Sequence, residues 1–442
     1  MKSIVVRPVK KKITGSLSFP GDKSLSHRAV IFGSLAEGTS CFTNVLASED
    51  CIGTRNAFES MGIRIECRSE SELAITGRGL RALKKPGAPI DCGNSGTTMR
   101  LLLGVLAGND FEAVLEGDAS LSKRPMRRVT DYLKEMGAGV EGRDGANFAP
   151  LVIRGGRLKG IDAKLKVASA QVKSAILLAG LYAKGATKVT EPVKSRDHTE
   201  RFLKYFGADV TTGTLSVILR PGRELKPKKF EIAGDISSAA FFMAAAALVG
   251  QAEIRFQGVL WNPTRTGMPR VLERMGIAIR DLSVSQKGPE PAADFTIRHS
   301  RLKGFEISKK ELPALIDEVP ILTVMATQAE GRSVIHEADE LRVKETDRIH
   351  SMVTNLRKMG AKIEAKKNSI FVEGPTPLSG ARVDSFKDRR TAMSLIVAGL
   401  LAQGETRVDD VDCIDTSFPT FFRLLRKVGA DFDLVDGSTG SP

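Results

Sequence analysis

The chain is poor in the residues that mark several functional classes. Aromatics make up 5% of its 442 residues, with one Trp and three Tyr, so an aromatic-lined binding sandwich is disfavoured. The five cysteines are odd in number and never form C-x-x-C, and the five histidines never form H-x-x-x-H. That pattern argues against a disulfide framework and against a zinc site. No segment approaches about 18 consecutive apolar residues, and MKSIVVRPVKKK at the N-terminus has too short an apolar run for a secretory signal. A cytoplasmic protein with no membrane partner is expected. Acidic residues are outnumbered, for a net charge of +14. The cations are nonetheless dispersed, with only short runs such as Lys10-Lys11-Lys12, and no aromatics are interleaved with them for base stacking. Nucleic acid is therefore not the expected partner, and phosphorylated small molecules fit the charge better. Hydrophobic residues at 42% over this length suffice for more than one core.

The clearest organisation is a repeat. A helix-like segment, a hydrophobic residue, Gly and then a strand-prone run recur as SMGIRIE, EMGAGVE, YFGADVT, RMGIAIR, KMGAKIE and KVGADFD, with Gly62, Gly137, Gly207, Gly276, Gly360 and Gly429. Each glycine stands where a helix ending needs a left-handed residue. A second set interleaves with it at Gly38, Gly108, Gly185, Gly250, Gly331 and Gly404. Two motifs in six copies imply six copies of one supersecondary unit with two helices and several strands. Two globular halves of three units fit better than a linear solenoid, which would need caps and shorter repeats. The Pro- and Lys-rich stretch RPGRELKPKKFEIAG, 220 to 234, reads as the crossover, and the strand-like residues 2 to 19 are candidates for the second half.

Polar stretches interrupt this apolar frame. GDKSLSHRAV, 21 to 30, lacks the spacing of a nucleotide-binding P-loop. Ser24 as N-cap of a run from Leu25 to Leu35 would put Lys23 and Arg28 near a helix N-terminus, which suits either an anion site or an ordinary capped helix. DCGNSGTTMR, 91 to 100, is a Gly-rich turn opening a helix, and SKRPMRR sets Arg124 beside a rigid proline. ASAQVKSA places Ser169, Gln171 and Lys173 at the head of a buried helix. SRDHTE carries Arg196, although a capping box would equally explain Ser195, Asp197 and Glu200. In the second half, LIDEVP embeds Asp317 and Glu318 in an apolar run, a setting that tunes a general base. ELRVKETDR supplies Lys344, Glu345 and Arg348, and on one helix Lys344 and Arg348 would share a face and hold an anion between them. SFKDRRTAMS adds Asp388, Arg389 and Arg390.

Together, PGDKSLSHRA, GNSGTTMR, ASAQVKSA, LRVKETDR, DRRTAMS and TSFPTF, in this order and spacing, closely resemble the 5-enolpyruvylshikimate-3-phosphate synthases, over essentially the whole chain. The resemblance implies an α/β fold of two similar domains, each of three βαβαββ-type units in an inside-out α/β barrel. The domains would be 21–233 and 1–20 plus 234–442, with a hinge near 20 and 234. It also implies transfer of the enolpyruvyl group of phosphoenolpyruvate to the 5-hydroxyl of shikimate 3-phosphate, by a monomer, with no metal and no organic cofactor. By the same resemblance Asp317, Glu345 and Lys23 are catalytic. Lys23, Ser24, Arg28, Ser169, Ala170 (through its backbone), Gln171, Arg196, Asp317 and Lys344 would hold shikimate 3-phosphate. Lys23, Gly96, Arg124, Gln171, Arg348 and Arg390 would hold phosphoenolpyruvate. Two other readings are the sister transferase acting on UDP-N-acetylglucosamine and a non-catalytic phosphate-binding scaffold. The former has Lys-Asn where this chain has Lys23-Ser24, and a reactive loop cysteine with no counterpart here. Two departures stand out: Arg389 where many members have His, and Thr416 where many have Lys.

Overall fold

The computed structural model describes residues 2–10 and 12–436; Lys11 of the basic run, and the two extreme ends of the chain, lie outside the described residues. These residues divide into two compact units, one of Gly21–Ala233 with Gln286–Glu290, the other of the described parts of Met1–Pro20, Gly234–Ser285 and Pro291–Pro442. The expected second domain therefore loses Gln286–Glu290. The reason is local pairing: Lys287 Nζ lies 2.8 Å from Glu231, and Glu290 Oε1 lies 2.7 Å from His198 Nδ1.

One repeat shows how the sequence builds the fold. Strand Ile90–Asp91 leads into helix Gly96–Ala107, which returns to strand Glu112–Glu116 lying parallel to the first. Parallel pairing demands such a crossover. Helix Arg127–Met136 and the hairpin strands Gly139–Gly142 and Phe148–Arg154 follow, both antiparallel, and complete a βαβαββ unit around one four-stranded sheet. Six four-stranded sheets carry the same spatial order, three in each unit. In the first unit, Lys229–Glu231 at the chain's exit pairs in parallel with Glu37–Thr43 at its entry. In the second, Lys2–Val6 lies between Thr406–Asp409 and Phe432–Asp436, and Thr14–Ser18 pairs with Glu253–Leu260.

The two helices of each repeat differ in pattern and so in place. Gly96–Ala107, Ala170–Gly180, Ile236–Leu248 and Val319–Gln328 are apolar almost all round and buried almost all round, as a helix in the middle of a unit must be. Arg127–Met136 is amphipathic, burying Val129, Leu133 and Met136 while its charged face stays in water. Central helices touch closely: a Cβ on Gly104 would lie 2.3 Å from the carbonyl oxygen of Ala175, so only glycine lets these two backbones meet.

The first set of six glycines all have φ between +87° and +109°, closing the second helix of every repeat as read from the sequence. The second set is less uniform. Gly38, Gly185, Gly331 and Gly404 are left-handed, but Gly108 has φ −91° and in the fourth repeat the left-handed residue is Gln251. At Gly108 the constraint is space instead, since a Cβ would sit 2.1 Å from the Tyr182 ring.

Candidate functional site

The first helix of each repeat begins at the same end of its parallel strands, and there the polar residues gather. In the first unit, helix Lys23–Leu35 is capped by Asp22, whose carboxylate accepts from the Leu25 amide at 3.0 Å. Ser24 is thus not the N-cap expected from the sequence. An ionised carboxylate one residue before Lys23 is the stronger acceptor, and it draws Ser24 into the first turn, where its carbonyl accepts from Arg28 Nη1 at 2.9 Å. Arg28 is buried and also donates to Thr199 Oγ1 and Ser174 Oγ, both at 2.8 Å, tying three helices together. Burial pushes its guanidinium down to about 10, against the pull of Glu200 and Asp22, and the nearby Arg196 charge pushes the same way. Arg196 itself is half-buried. Lys23 is ion-paired with Asp50.

Helix Gly96–Ala107 is capped by Ser95, which accepts from the Thr98 amide at 3.1 Å. Arg100, one turn on, donates to Gln171 Oε1 at 2.7 Å, while Gln171 Nε2 donates to Thr97 at 2.9 Å. A Cβ on Gly96 would lie 2.7 Å from Arg100 Nη1, so the glycine keeps this corner open. Arg124 donates to Asn94 Oδ1 at 2.6 Å and to Ser120 Oγ at 3.1 Å. Ser169 caps helix Ala170–Gly180, leaving the Ala170 amide among the unsatisfied donors of a helix start. Lys173 is fully buried and pairs with Glu191 and Glu200 at 2.8 Å each; it is a core ion triad. Because Glu200 serves Lys173, and Asp197 makes no side-chain cap, the capping box allowed by the sequence does not form.

In the second unit the expected residues converge on one guanidinium. Arg348 is buried, and its three nitrogens meet Asp388 at 2.9 Å, Asp317 at 3.2 Å and Glu345 at 2.7 Å. Burial works against its charge, but Asp388, Glu345 and Asp317 together hold its pKa above the ordinary arginine value. Arg390 Nε lies 3.4 Å from the same Asp317 oxygen, and Arg389 lies 3.8 Å from Glu345. Burial lowers the pKa of Arg390, with Asp317 opposing and Arg389 reinforcing. Asp388 also caps helix Arg389–Gly399. Lys344 does not share a helix with Arg348, which opens helix Arg348–Lys358 behind the cap Asp347. Asp347 breaks the run because its carboxylate accepts from the Ile349 and His350 amides, leaving Lys344 extended. Burial lowers the pKa of the Lys344 ammonium, and Asp317 pulls it back. Thr416 turns onto the Cys413 carbonyl at 2.8 Å.

Two arginines escaped the sequence reading. Arg100 stands four residues after Gly96, a spacing that puts both on one helix face. Arg265 precedes helix Gly267–Arg274 just as Arg124 and Arg196 precede theirs, so comparing the repeats would have found it. Among the described residues, Asp197, His198 and Glu290 form a cluster of metal-ligating types. Arg201 lies 2.9 Å from Asp197 and 3.6 Å from Glu290, supplying the positive charge there.

The comparisons with known proteins cover almost the whole chain. A family profile described as EPSP synthase (3-phosphoshikimate 1-carboxyvinyltransferase) matches residues 8–425. A protein named 3-phosphoshikimate 1-carboxyvinyltransferase from Geobacter metallireducens is 51% identical over 430 residues, which is 97% of this chain and 100% of that one. One of the same name from Bacillus thuringiensis is 47% identical over 428 residues, with 97% and 100% covered. The solved structure of an EPSP synthase from Acinetobacter baumannii is similar at TM-score 0.90 and 42% identity, over 99% of this chain and 100% of that one. A sixfold βαβαββ frame with cationic and carboxylate residues at its helix starts, matched end to end by such relatives, leads to one assignment: the chain belongs to the EPSP synthase family.

Proposed function

We propose that Asp317, held at 3.2 Å by Arg348 and at 3.4 Å by Arg390, is the base of an enolpyruvyl transfer. The reaction moves the enolpyruvyl group of phosphoenolpyruvate to the 5-hydroxyl of shikimate 3-phosphate and releases phosphate, as in the shikimate route to aromatic amino acids. That arrangement is the observation that carries the assignment of the base, because two guanidiniums hold the carboxylate in one orientation. In the addition, the 5-hydroxyl oxygen bonds to C2 of phosphoenolpyruvate while its proton passes to Asp317. The methylene carbon gains a proton from Glu345 or Lys23. Loss of phosphate from the resulting tetrahedral intermediate, with removal of one methyl proton, restores the double bond.

Lys23, Ser24, Arg28, Ser169, the Ala170 amide, Gln171, Arg196 and Lys344 bind shikimate 3-phosphate in this reading. Lys23, Gly96, Arg124, Gln171, Arg348 and Arg390 bind phosphoenolpyruvate. Each phosphate monoester carries about −1.5 to −2, and the substrates add two carboxylates, so a surplus of cations at these helix starts is needed. The chain works on these small molecules as a monomer in the cytoplasm, without nucleic acid or membrane. No helix of the described residues is long and apolar enough to cross a bilayer.

Phosphate release with each substrate omitted in turn tests the assignment. Release only with both substrates supports it. No release would leave a phosphate-binding scaffold, and release with UDP-N-acetylglucosamine in place of shikimate 3-phosphate would assign the sister reaction.

A further inference from the structure

We propose that Arg265 is a positioning residue for Asp317, acting through Ser237 and Glu318; this rests on the reading of Asp317 as the base. Arg265 is buried, 2% exposed, and its Nη2 donates to Ser237 Oγ at 3.0 Å. Ser237 Oγ in turn donates to Glu318 Oε1, and Glu318 is 1% exposed. Asp235 lies 3.9 Å from the same guanidinium nitrogen and caps helix Ile236–Leu248 through the Ser237 and Ser238 amides. The chain Asp235, Arg265, Ser237, Glu318 therefore ties the start of one central helix to the start of the next.

Glu318 occupies the N-cap position of helix Val319–Gln328 yet makes no cap bond of its own. Its carboxylate is turned to Ser237, whereas the preceding carboxylate, Asp317, is turned to Arg348 and Arg390. Two adjacent residues pinned to separate partners fix the peptide between them. A second observation points to the same brace: a Cβ on Gly267 would lie 2.7 Å from Leu315 Cβ and 2.8 Å from the Ala314 carbonyl oxygen. The segment 265–267 thus bears on the turn carrying Asp317 both through Glu318 and through the backbone just before it. Without Arg265, the buried Asp235 carboxylate loses a guanidinium 3.9 Å away, and Ser237 loses the donor that holds its hydroxyl toward Glu318.

The test compares R265Q, R265K and S237A with D317N in steady-state kinetics on the full chain. R265Q is expected to lower kcat about ten- to a hundredfold, the scale of a misplaced catalytic group, with KM for both substrates within about threefold. R265K retains the charge and one donor to Ser237 and recovers part of the loss. S237A gives a smaller fall of the same kind in a chain that keeps the ion pair, so a misfolded R265Q does not stop the test. In the D317N background R265Q adds nothing further, because both act on one step. Wild-type kcat in R265Q or S237A, beside an inactive D317N, overturns the brace and leaves the base standing. A fall in activity matched by the loss of folded protein also overturns it. A fully active D317N overturns the base and the brace together.

Discussion

Arg28 and Arg348 are both buried arginines at helix starts, one in each unit, and they are held in opposite ways. Arg28 rests on neutral acceptors: two hydroxyls and a backbone carbonyl. Arg124 does the same with Asn94 and Ser120. Arg348 rests on three carboxylates, and Arg390 lies against one of them. Neutral acceptors orient a guanidinium without cancelling its charge, so it keeps that charge for an incoming anion. Carboxylate partners offset part of that charge and fix the carboxylates themselves, which is what proton transfer needs. One sixfold frame thus surrounds its buried arginines in two ways, with neutral acceptors at Arg28 and with carboxylates at Arg348.

The sharpest way to break this contrast is Asp317→Ala. Turnover is expected to fall about 10²- to 10⁴-fold, while shikimate 3-phosphate still binds in calorimetry. Near-normal turnover would remove the second unit's claim to the acid–base step. Stability gives the next test. Arg348→Met takes the shared guanidinium from three carboxylates and is expected to cost about 3–5 kcal/mol in urea unfolding. Arg124→Met leaves only neutral partners, for about 0.5–1.5 kcal/mol. Equal losses would erase the distinction.

Kinetics sharpen it further. Arg124→Lys cannot reproduce a forked donor and should raise the KM for phosphoenolpyruvate about ten- to a hundredfold, leaving that for shikimate 3-phosphate nearly unchanged. Arg390→Lys should raise the same KM but also lower kcat, because it disturbs Asp317; an effect on KM alone would detach Arg390 from the base. The last test is of pH dependence and concerns His27. Burial, with Lys23 adding to it, pushes the imidazole down to about 3 from 6.5, so it folds neutral. The unfolded chain then binds the extra proton. This contribution is full above about pH 6.5 and is lost as pH falls from there towards 3, by at most about 1.4 kcal/mol per unit. His27→Asn should flatten urea midpoints in that window, and an unaltered acid limb would assign the loss to other groups.

The repeat was readable because a left-handed residue after a helix nearly demands glycine, and all six glycines from Gly62 to Gly429 have positive φ. Gly108 and Gly250 were less readable, since packing against Tyr182 and a turn at Gln251 leave no periodic trace. The site residues were legible as residue types at helix starts, but their partners were not. Whether Asp22 or Ser24 caps a helix depends on which carboxylate or hydroxyl reaches the amides first. The break at Asp347 that separates Lys344 from Arg348 is of the same kind. Lys173, read from the sequence only as lying at the head of a buried helix, is a core residue because Glu191 and Glu200 meet it.

The placement of strand Lys2–Val6 between Thr406–Asp409 and Phe432–Asp436 bears on how the chain is made. On a ribosome, residues 21–233 have all the strands of their three sheets once Glu231 has emerged. Residues 2–6 must wait for partners some 400 positions downstream. At about 5–20 residues per second that delay is roughly 20–80 s. For that interval residues 2–6 are an unpaired strand, carried ahead of a unit that is already able to fold.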